Sequence, residues 1–146
     1  MRAVVQVAST AHVEIEGEIV GRLASPGLVI LLGVTHDDDE ATARKVAEKI
    51  WRLRILEDES SAESTAAPLL VISQFTLYGS VRKGRRPSWS NAAPGPVSEP
   101  LYEYFVSYLR ELGAHVETGK FGAMMNVSLV NSGPFTVIID SADLAI

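Results

Sequence analysis

Cysteine is absent from this chain of 146 residues. Its absence excludes disulfides, thiolate nucleophiles and zinc sites built on thiolates. No apolar run approaches the roughly 18–20 residues of a membrane-spanning helix. The first residues enter a strand-like run without the charged and then apolar pattern of a secretory leader. We therefore expect a cytoplasmic protein that does not enter a membrane.

Basic residues are outnumbered, with 13 against 18 acids and a net charge of −5. This balance argues against a protein that coats nucleic acid along its length. Four of the basic residues nevertheless fall within five positions, and residues 78–98 contain no acid. They are Arg82, Lys83, Arg85 and Arg86. A local basic patch on an acidic chain is typical of an enzyme that contacts one part of an RNA.

Hydrophobic periodicity predicts one α+β domain that spans residues 1–146. Strands are predicted over residues 2–8, 12–15, 18–22, 28–34, 69–74, 115–119, 124–130 and 134–139. Helices are predicted over 40–54 and 99–112, the second with Ser98 as its N-cap. This order indicates mixed β-sheets with two helices on one face. Because strand 28–34 is apolar on both sides, a second sheet or a partner subunit must cover its other face.

Two loops and one acidic run interrupt these elements. Residues 57–68 have the small, polar composition of a loop, and residues 78–97 form a loop long enough to indicate function or mobility. The acids at positions 37–40 lack the ligand spacing of a calcium loop and precede a helix, so we favour helix capping over a metal site. The histidines, His12, His36 and His115, have no metal-binding spacing.

Polar residues follow the apolar strand that ends near residue 72. Thr76 or Ser73 could act as a nucleophile, but that chemistry needs a nearby base, and no histidine or lysine is an obvious candidate. Hydrogen bonds that end the strand explain the same residues equally well. Residues 131–136 interrupt two strands as a turn, and about 95% of X-Pro bonds are trans, so frequency alone favours a trans Gly133–Pro134 bond.

Four segments together resemble the D-aminoacyl-tRNA deacylase family. They are SQFTL at 73–77, KGRRPSW at 83–89, ETGKFGAMM at 117–125 and NSGPFT at 131–136. The run 27–34 is also similar to the third strand of the family. The resemblance covers nearly the whole chain, and four motifs in the right order are far more specific than one.

The resemblance implies an ester hydrolase that releases free D-amino acid and tRNA from D-aminoacyl-tRNA, and that also accepts mischarged glycyl-tRNA. It implies no metal and no cofactor. It implies a homodimer with active sites at the subunit interface, whose β/β/α layers reach barrel-like packing on dimerisation. Gly133 and Pro134 would form a Gly-cisPro element that enters the partner's pocket and excludes L-amino acids by a clash.

The same resemblance assigns roles to individual residues. No protein side chain is expected to perform the chemistry; the 2′-hydroxyl of the terminal adenosine assists, and the backbone N–H groups of Phe75 and Thr76 stabilise the oxyanion. Three further groups bind substrate. By resemblance, Ser73 and Gln74 bind substrate, and Phe121, Gly122 and Met125 line the adenosine side. The third group is assigned to the RNA because it is a dense basic stretch in an acidic chain: Arg82, Lys83, Arg85 and Arg86.

The sequence departs from the family pattern in three places. Val7 stands where an arginine is common, residues 57–68 form a shorter segment, and Ser132 and Phe135 replace the more frequent Asp and Val beside Gly133–Pro134. The altered first strand keeps open a catalytically silent module that only binds RNA ends. A small-molecule esterase that uses Thr76 is a third reading, which the missing base disfavours.

Overall fold

One long strand, β1 (Arg2–Ile15), organises the sheet in this computed structural model, which describes residues 1–145. A tight turn with positive φ at Glu16 and Gly17 leads into β2 (Glu18–Arg22), as the predicted hairpin requires. The first half of β1 pairs antiparallel with β3 (Gly27–Gly33). On its opposite edge, β1 pairs from Arg2 to Glu14 with the last strand, β6 (Asn126–Asp140), and the register shifts at Val7 and at Ser9.

Two further strands extend the sheet beyond β3. β4 (Leu69–Ser73) runs parallel to β3, and β5 (Val116–Thr118) runs parallel to β4, which gives the order β2-β1-β3-β4-β5. The sheet curls until β2 meets β5: a Cβ built on Gly21 would lie 2.3 Å from the carbonyl oxygen of Thr118. The result is a nearly closed, mixed barrel.

The strands β3 and β4 lie between two apolar cores, one on each face of the sheet. One set of side chains points into the barrel, where Val29, Leu70 and Ile72 pack with Ala11 and Val13 of β1. The alternate set packs outward against the helices α1 (Glu40–Arg52) and α3 (Gly95–Glu111). The second face of β3 is therefore covered by the curled sheet of its own chain, not by a partner subunit.

The N-terminal caps of α1 and α3 test two predictions from the sequence, of which one is confirmed and one is wrong. The capping interpretation of the acidic run is confirmed, because Asp39 caps α1 and accepts a hydrogen bond of 2.8 Å from the Thr42 N–H. The predicted cap at Ser98 is wrong. α3 begins at Gly95, and the Ser98 hydroxyl, buried in the first turn, donates to the Pro94 carbonyl at 3.2 Å. Pro96 favours this early start because its fixed φ suits the first helical positions.

Three other predicted boundaries are also corrected. The segment 57–68 is not a plain loop, since it holds a 3₁₀ turn (Glu57–Glu59) and a third helix, α2 (Ala62–Thr65), which Ser61 caps. β1 and β6 are each continuous where two strands were predicted.

No helix within residues 1–145 has the length and apolar character to cross a lipid bilayer.

Candidate active site

The parallel strands β3 and β4 end side by side, and the candidate site lies at their carboxyl ends. Ser73 pairs with Leu32 at the last register position. The Gln74 N–H then donates to the Leu32 carbonyl at 2.7 Å, and the chain enters a 3₁₀ turn (Phe75–Tyr78). Crevices outside the carboxyl ends of parallel strands are the usual ligand sites of open α/β sheets.

This turn presents two adjacent backbone donors. Phe75 and Thr76 are its first two residues, so their N–H groups have no acceptor within the turn. The turn is anchored at its other side, because the Arg2 guanidinium donates to the Leu77 carbonyl at 2.8 Å. Two neighbouring N–H groups held by a fixed backbone suit a developing negative charge on oxygen.

A cavity of about 570 Å³ opens beside the turn. Most of the residues expected at the site line it together: Ser73, Gln74, Phe75, Phe121, Gly122 and Met125. Thr76 is not one of its lining residues. Its hydroxyl accepts a hydrogen bond from the Gln74 side-chain amide, so that hydroxyl supports the orientation of Gln74.

The cavity holds no acid–base pair. Among its described lining residues none is charged, and Tyr102 is the one titratable side chain. The Tyr102 hydroxyl donates to the Val71 carbonyl at 2.8 Å, and burial raises the pKa of Tyr102 to about 12. A phenol with that pKa stays protonated at neutral pH and does not act as a base. The described wall of the cavity therefore offers polar groups and neighbouring backbone donors, but no side chain that acts as a base at neutral pH.

Gly133 and Pro134 lie away from this cavity. Opposite the single residue Val7, residues 132–135 of β6 loop out of the β1–β6 ladder. The Gly133–Pro134 peptide is cis, as the resemblance implied, so the trans expectation from frequency was wrong. Gly133 lines a different cavity with Gly27, at the amino end of β3. The Gly133–Pro134 turn therefore lies beside the opposite end of the strands from Ser73 of the same chain.

Comparisons with known proteins identify the family. A family model described as "D-Tyr-tRNA(Tyr) deacylase" matches residues 4–140. The chain belongs to this family. A D-aminoacyl-tRNA deacylase of Cutibacterium acnes is 64% identical over 143 residues, which are 98% of this chain and 99% of the relative. The corresponding protein of Thermobifida fusca is 61% identical over 140 residues, 96% of this chain and 99% of its own.

Two solved structures share the fold of this deacylase family member. A protein titled "c-Myc DNA Unwinding Element Binding Protein" is 34% identical with a TM-score of 0.87, covering 96% of this chain and 98% of its own. A structure titled "Structural Analysis of a probable eukaryotic D-amino acid tRNA deacylase" is 17% identical with a TM-score of 0.83, covering 94% of this chain and 97% of its own. The predicted α+β fold with a mixed sheet is confirmed, with three helices in place of two.

The basic residues of this deacylase family member form the tip of a loop that closes one residue before Trp89, which lines the cavity. Ser80 and Ser88 exchange two backbone hydrogen bonds of 2.8 Å and close the base of the loop. All four cations between them are exposed. They are Arg82, Lys83, Arg85 and Arg86, and the cavity wall, as far as the structure describes it, includes none of them.

Two aromatic residues of the site escaped the sequence analysis. Trp89 follows the basic loop and meets Phe75 edge to face, with ring centroids 5.5 Å apart and planes at 72°. Gly79 makes room for it, since a Cβ there would lie 2.5 Å from the Trp89 ring. Tyr102 of α3 lies 6.0 Å from the Phe121 ring. Trp89 belongs to the KGRRPSW segment, so that motif could have identified it as a site residue. No motif or local pattern in the sequence marks Tyr102 as a site residue.

Proposed function

We propose that this chain hydrolyses the ester bond of D-aminoacyl-tRNA and releases free D-amino acid and tRNA. One observation carries the proposal: the cavity beside Phe75 and Thr76 offers backbone donors and, in its described lining, no charged side chain. Such a site suits a substrate that brings its own assisting group. The names of the relatives at about 60% identity support the same substrate.

The reaction follows from this placement. The ester carbonyl lies at the turn, where the N–H groups of Phe75 and Thr76 donate to its oxygen as negative charge develops. Water attacks the carbonyl carbon while the neighbouring 2′-hydroxyl of the terminal ribose assists. The bond from the carbonyl carbon to the 3′-oxygen then breaks, and the 3′-oxygen leaves with a proton. The protein contributes orientation and electrostatic stabilisation.

The adenosine end of the substrate is assigned to the aromatic and small residues of the cavity. Phe121, Gly122 and Met125 line one side, and Phe75 with Trp89 stands at the mouth. Splayed RNA bases stack on aromatic rings in this way. Ser73 and Gln74 face the aminoacyl group, and the basic loop contacts phosphates. A tRNA substrate implies a cytoplasmic enzyme. Glycyl-tRNA is accepted as well, because its glycyl group has no side chain.

Rejection of L-amino acids is assigned to Gly133 and Pro134 of a second copy. These two residues are exposed and remote from the cavity of their own chain. Within residues 1–145 no strand pairs with the second edge of β6. That strand exposes Val130 by 58%, Phe135 by 41% and Ile138 by 74%. A long, apolar edge strand is a site of association, and a second copy that covers it makes a symmetric homodimer.

Hydrolysis assays test the activity. We expect D-tyrosyl-tRNA to be cleaved, L-tyrosyl-tRNA to stay intact and free D-tyrosine ethyl ester to react far more slowly. Equal rates on the D and L forms would contradict the proposal. Binding of tRNA without turnover would instead identify the silent RNA-end-binding module, and rapid cleavage of the free ester would identify a small-molecule esterase.

A mixed dimer tests whether the turn acts across subunits. One subunit carries Ser73→Trp, which fills its cavity, and the other carries Pro134→Ala; two different affinity tags isolate the pair. The subunit with Pro134→Ala has the open cavity, and the subunit with Ser73→Trp has the unchanged turn. The open cavity therefore meets an unchanged turn only if the turn comes from the partner. We expect D-specific hydrolysis from the mixed dimer and loss of L-rejection in the Pro134→Ala homodimer. Cleavage of L-tyrosyl-tRNA by the mixed dimer would place the turn in its own subunit's site.

A further inference from the structure

The ladder between β1 and β6 is broken where Gly133 and Pro134 loop out. Gln6 pairs with Thr136 and Ala8 pairs with Asn131, so four residues of β6 face the single residue Val7. A bulge of this size takes Val7 and the looped residues out of the regular backbone ladder. Another set of bonds has to fix the shape of the loop.

The Asn131 side chain supplies these bonds. Its amide nitrogen, Nδ2, donates to the Val7 carbonyl at 2.8 Å and to the Phe135 carbonyl at 3.2 Å. The first bond ties the loop to β1 at Val7, which has no β6 partner in the register. The second spans the loop from its first flanking residue to its last member. One amide thus joins the base of the loop to the neighbouring strand.

The orientation of that amide is set by two other side chains. The Gln6 Nε2 donates to the Thr136 hydroxyl at 3.1 Å, and that hydroxyl donates to Asn131 Oδ1 at 3.5 Å. The bonds run in one direction, from Gln6 through Thr136 to Asn131. A flipped Asn131 would turn its oxygen toward two carbonyl oxygens and its NH₂ toward the Thr136 hydroxyl.

We propose that Asn131 is the positioning residue for the Gly133–Pro134 turn and, through it, a determinant of D-over-L specificity. The inference rests on the proposed function. Exclusion by a clash requires the excluding atoms to be held within about 0.5 Å, because a loose turn moves aside for the wrong ligand. Asn131 touches no substrate; it acts on the turn.

The substitution Asn131→Asp tests this role with nearly the same side-chain volume. It replaces a donor with a charged acceptor that faces the Val7 and Phe135 carbonyls, so the turn is released. We expect the ratio of kcat/KM for D-tyrosyl-tRNA to that for L-tyrosyl-tRNA to fall at least about tenfold, the effect of losing two hydrogen bonds at once. The ratio should fall because L-tyrosyl-tRNA is cleaved faster, while the rate on D-tyrosyl-tRNA stays within about threefold of wild type. A purely structural role would lower both rates and leave their ratio unchanged.

Matched variants isolate the hydrogen bonds from the added charge. Thr136→Val removes the hydroxyl that orients Asn131, and Thr136→Ser keeps it; we expect the first to lower the D/L ratio and the second to restore it. Asn126→Asp introduces the same charge on the same strand, at the position that pairs with Glu14, and should leave the ratio unchanged. If Asn131→Asp fails to fold, the two threonine variants decide the question.

The outcomes separate the inference from the proposed function. Pro134→Ala with a lowered D/L ratio, but Asn131→Asp and Thr136→Val with wild-type ratios, would overturn the role of Asn131 alone. No cleavage of D-tyrosyl-tRNA by the wild type, or a wild-type ratio in Pro134→Ala, would overturn the proposed function instead.

Discussion

The two ends of the parallel strands β3 and β4 are built for opposite tasks. At the carboxyl ends the chain folds back into a 3₁₀ turn that Arg2 anchors, and a cavity opens beside Phe75. At the amino ends the exposed Gly133–Pro134 turn stands out from the β1–β6 ladder. The first end has a cavity and the second an exposed turn. The chain contains both parts but keeps them apart.

Charge separates the same two ends. The cavity at the carboxyl ends has no charged residue in its described wall, and the basic loop closes one residue before Trp89, which lines that cavity. The described wall of the cavity beside Gly133 has one base, Arg54, and three acids, Glu57, Asp58 and Glu59, so the acids outnumber the base. Acidic groups repel phosphates, so the proposed tRNA substrate is expected to approach from the carboxyl ends. Four predictions test this comparison, from the largest expected effect to the smallest.

The largest effect is expected from the substrate. Replacing the 2′-hydroxyl of the terminal adenosine by hydrogen should slow D-tyrosyl-tRNA cleavage by about a hundredfold or more, because the neutral cavity has no side chain to replace its assistance. Single-turnover rates with the deoxy and the normal tRNA measure this. A deoxy substrate that reacts normally would mean that the carboxyl-end site contains its own catalyst.

Removing charge from the basic loop should have the next largest effect. Arg82→Ala with Lys83→Ala should weaken tRNA binding about tenfold and lower the slope of log K against log salt by up to about 2. Filter binding between low and moderate salt measures both. The control is Lys49→Ala with Arg54→Ala, whose cations lie on and after α1, away from the basic loop. If the control flattens the slope and the loop variant does not, the RNA enters from the opposite end.

The sequence predicted both ends of the strand pair, but for different reasons. Local patterns were enough for the apolar runs of β3 and β4 and for the polar residues that follow Ile72. The continuity of β6 was missed because Gly133 and Pro134 have the composition of a turn. It is pairing with β1, more than a hundred residues away, that holds the strand on both sides of the bulge. The positions of Tyr102 and Trp89 also depend on contacts between distant segments.

A smaller effect is expected at Thr76. Thr76→Val keeps the shape and removes a hydroxyl that only accepts a hydrogen bond from Gln74, so the D-cleavage rate should stay within about threefold of wild type. The measurement is kcat and KM on D-tyrosyl-tRNA, with thermal unfolding as the check on folding. Complete loss of turnover in a folded variant that still binds tRNA would make Thr76 a nucleophile and the backbone account wrong.

The smallest effect on rate is expected at Tyr102. Tyr102→Phe should leave kcat unchanged at neutral pH and lower the free energy of unfolding by about 1 kcal/mol, because the buried Val71 carbonyl loses its donor. The folded pKa of about 12 lies above the ordinary value of 10.0. The stability that this difference contributes is full below pH 10 and is lost as the pH rises through about 12.

Urea unfolding of wild type and Tyr102→Phe, at neutral pH and again above pH 10, checks both statements. The wild type should lose more stability than the variant over the alkaline interval. A drop in kcat at neutral pH with an unchanged KM would show that the phenol takes part in the reaction.

The pair of hydrogen bonds between Ser80 and Ser88 has a consequence for how such a protein diversifies. It closes the basic loop at its neck, so the seven residues between the two serines form an appendage whose length and charge can change without moving the cavity walls. Given the proposed contact between this loop and RNA, tRNA recognition can change independently of the chemistry at the ester bond. We expect that a loop grafted from one relative onto another would change the tRNA preference and leave the D-over-L selectivity in place.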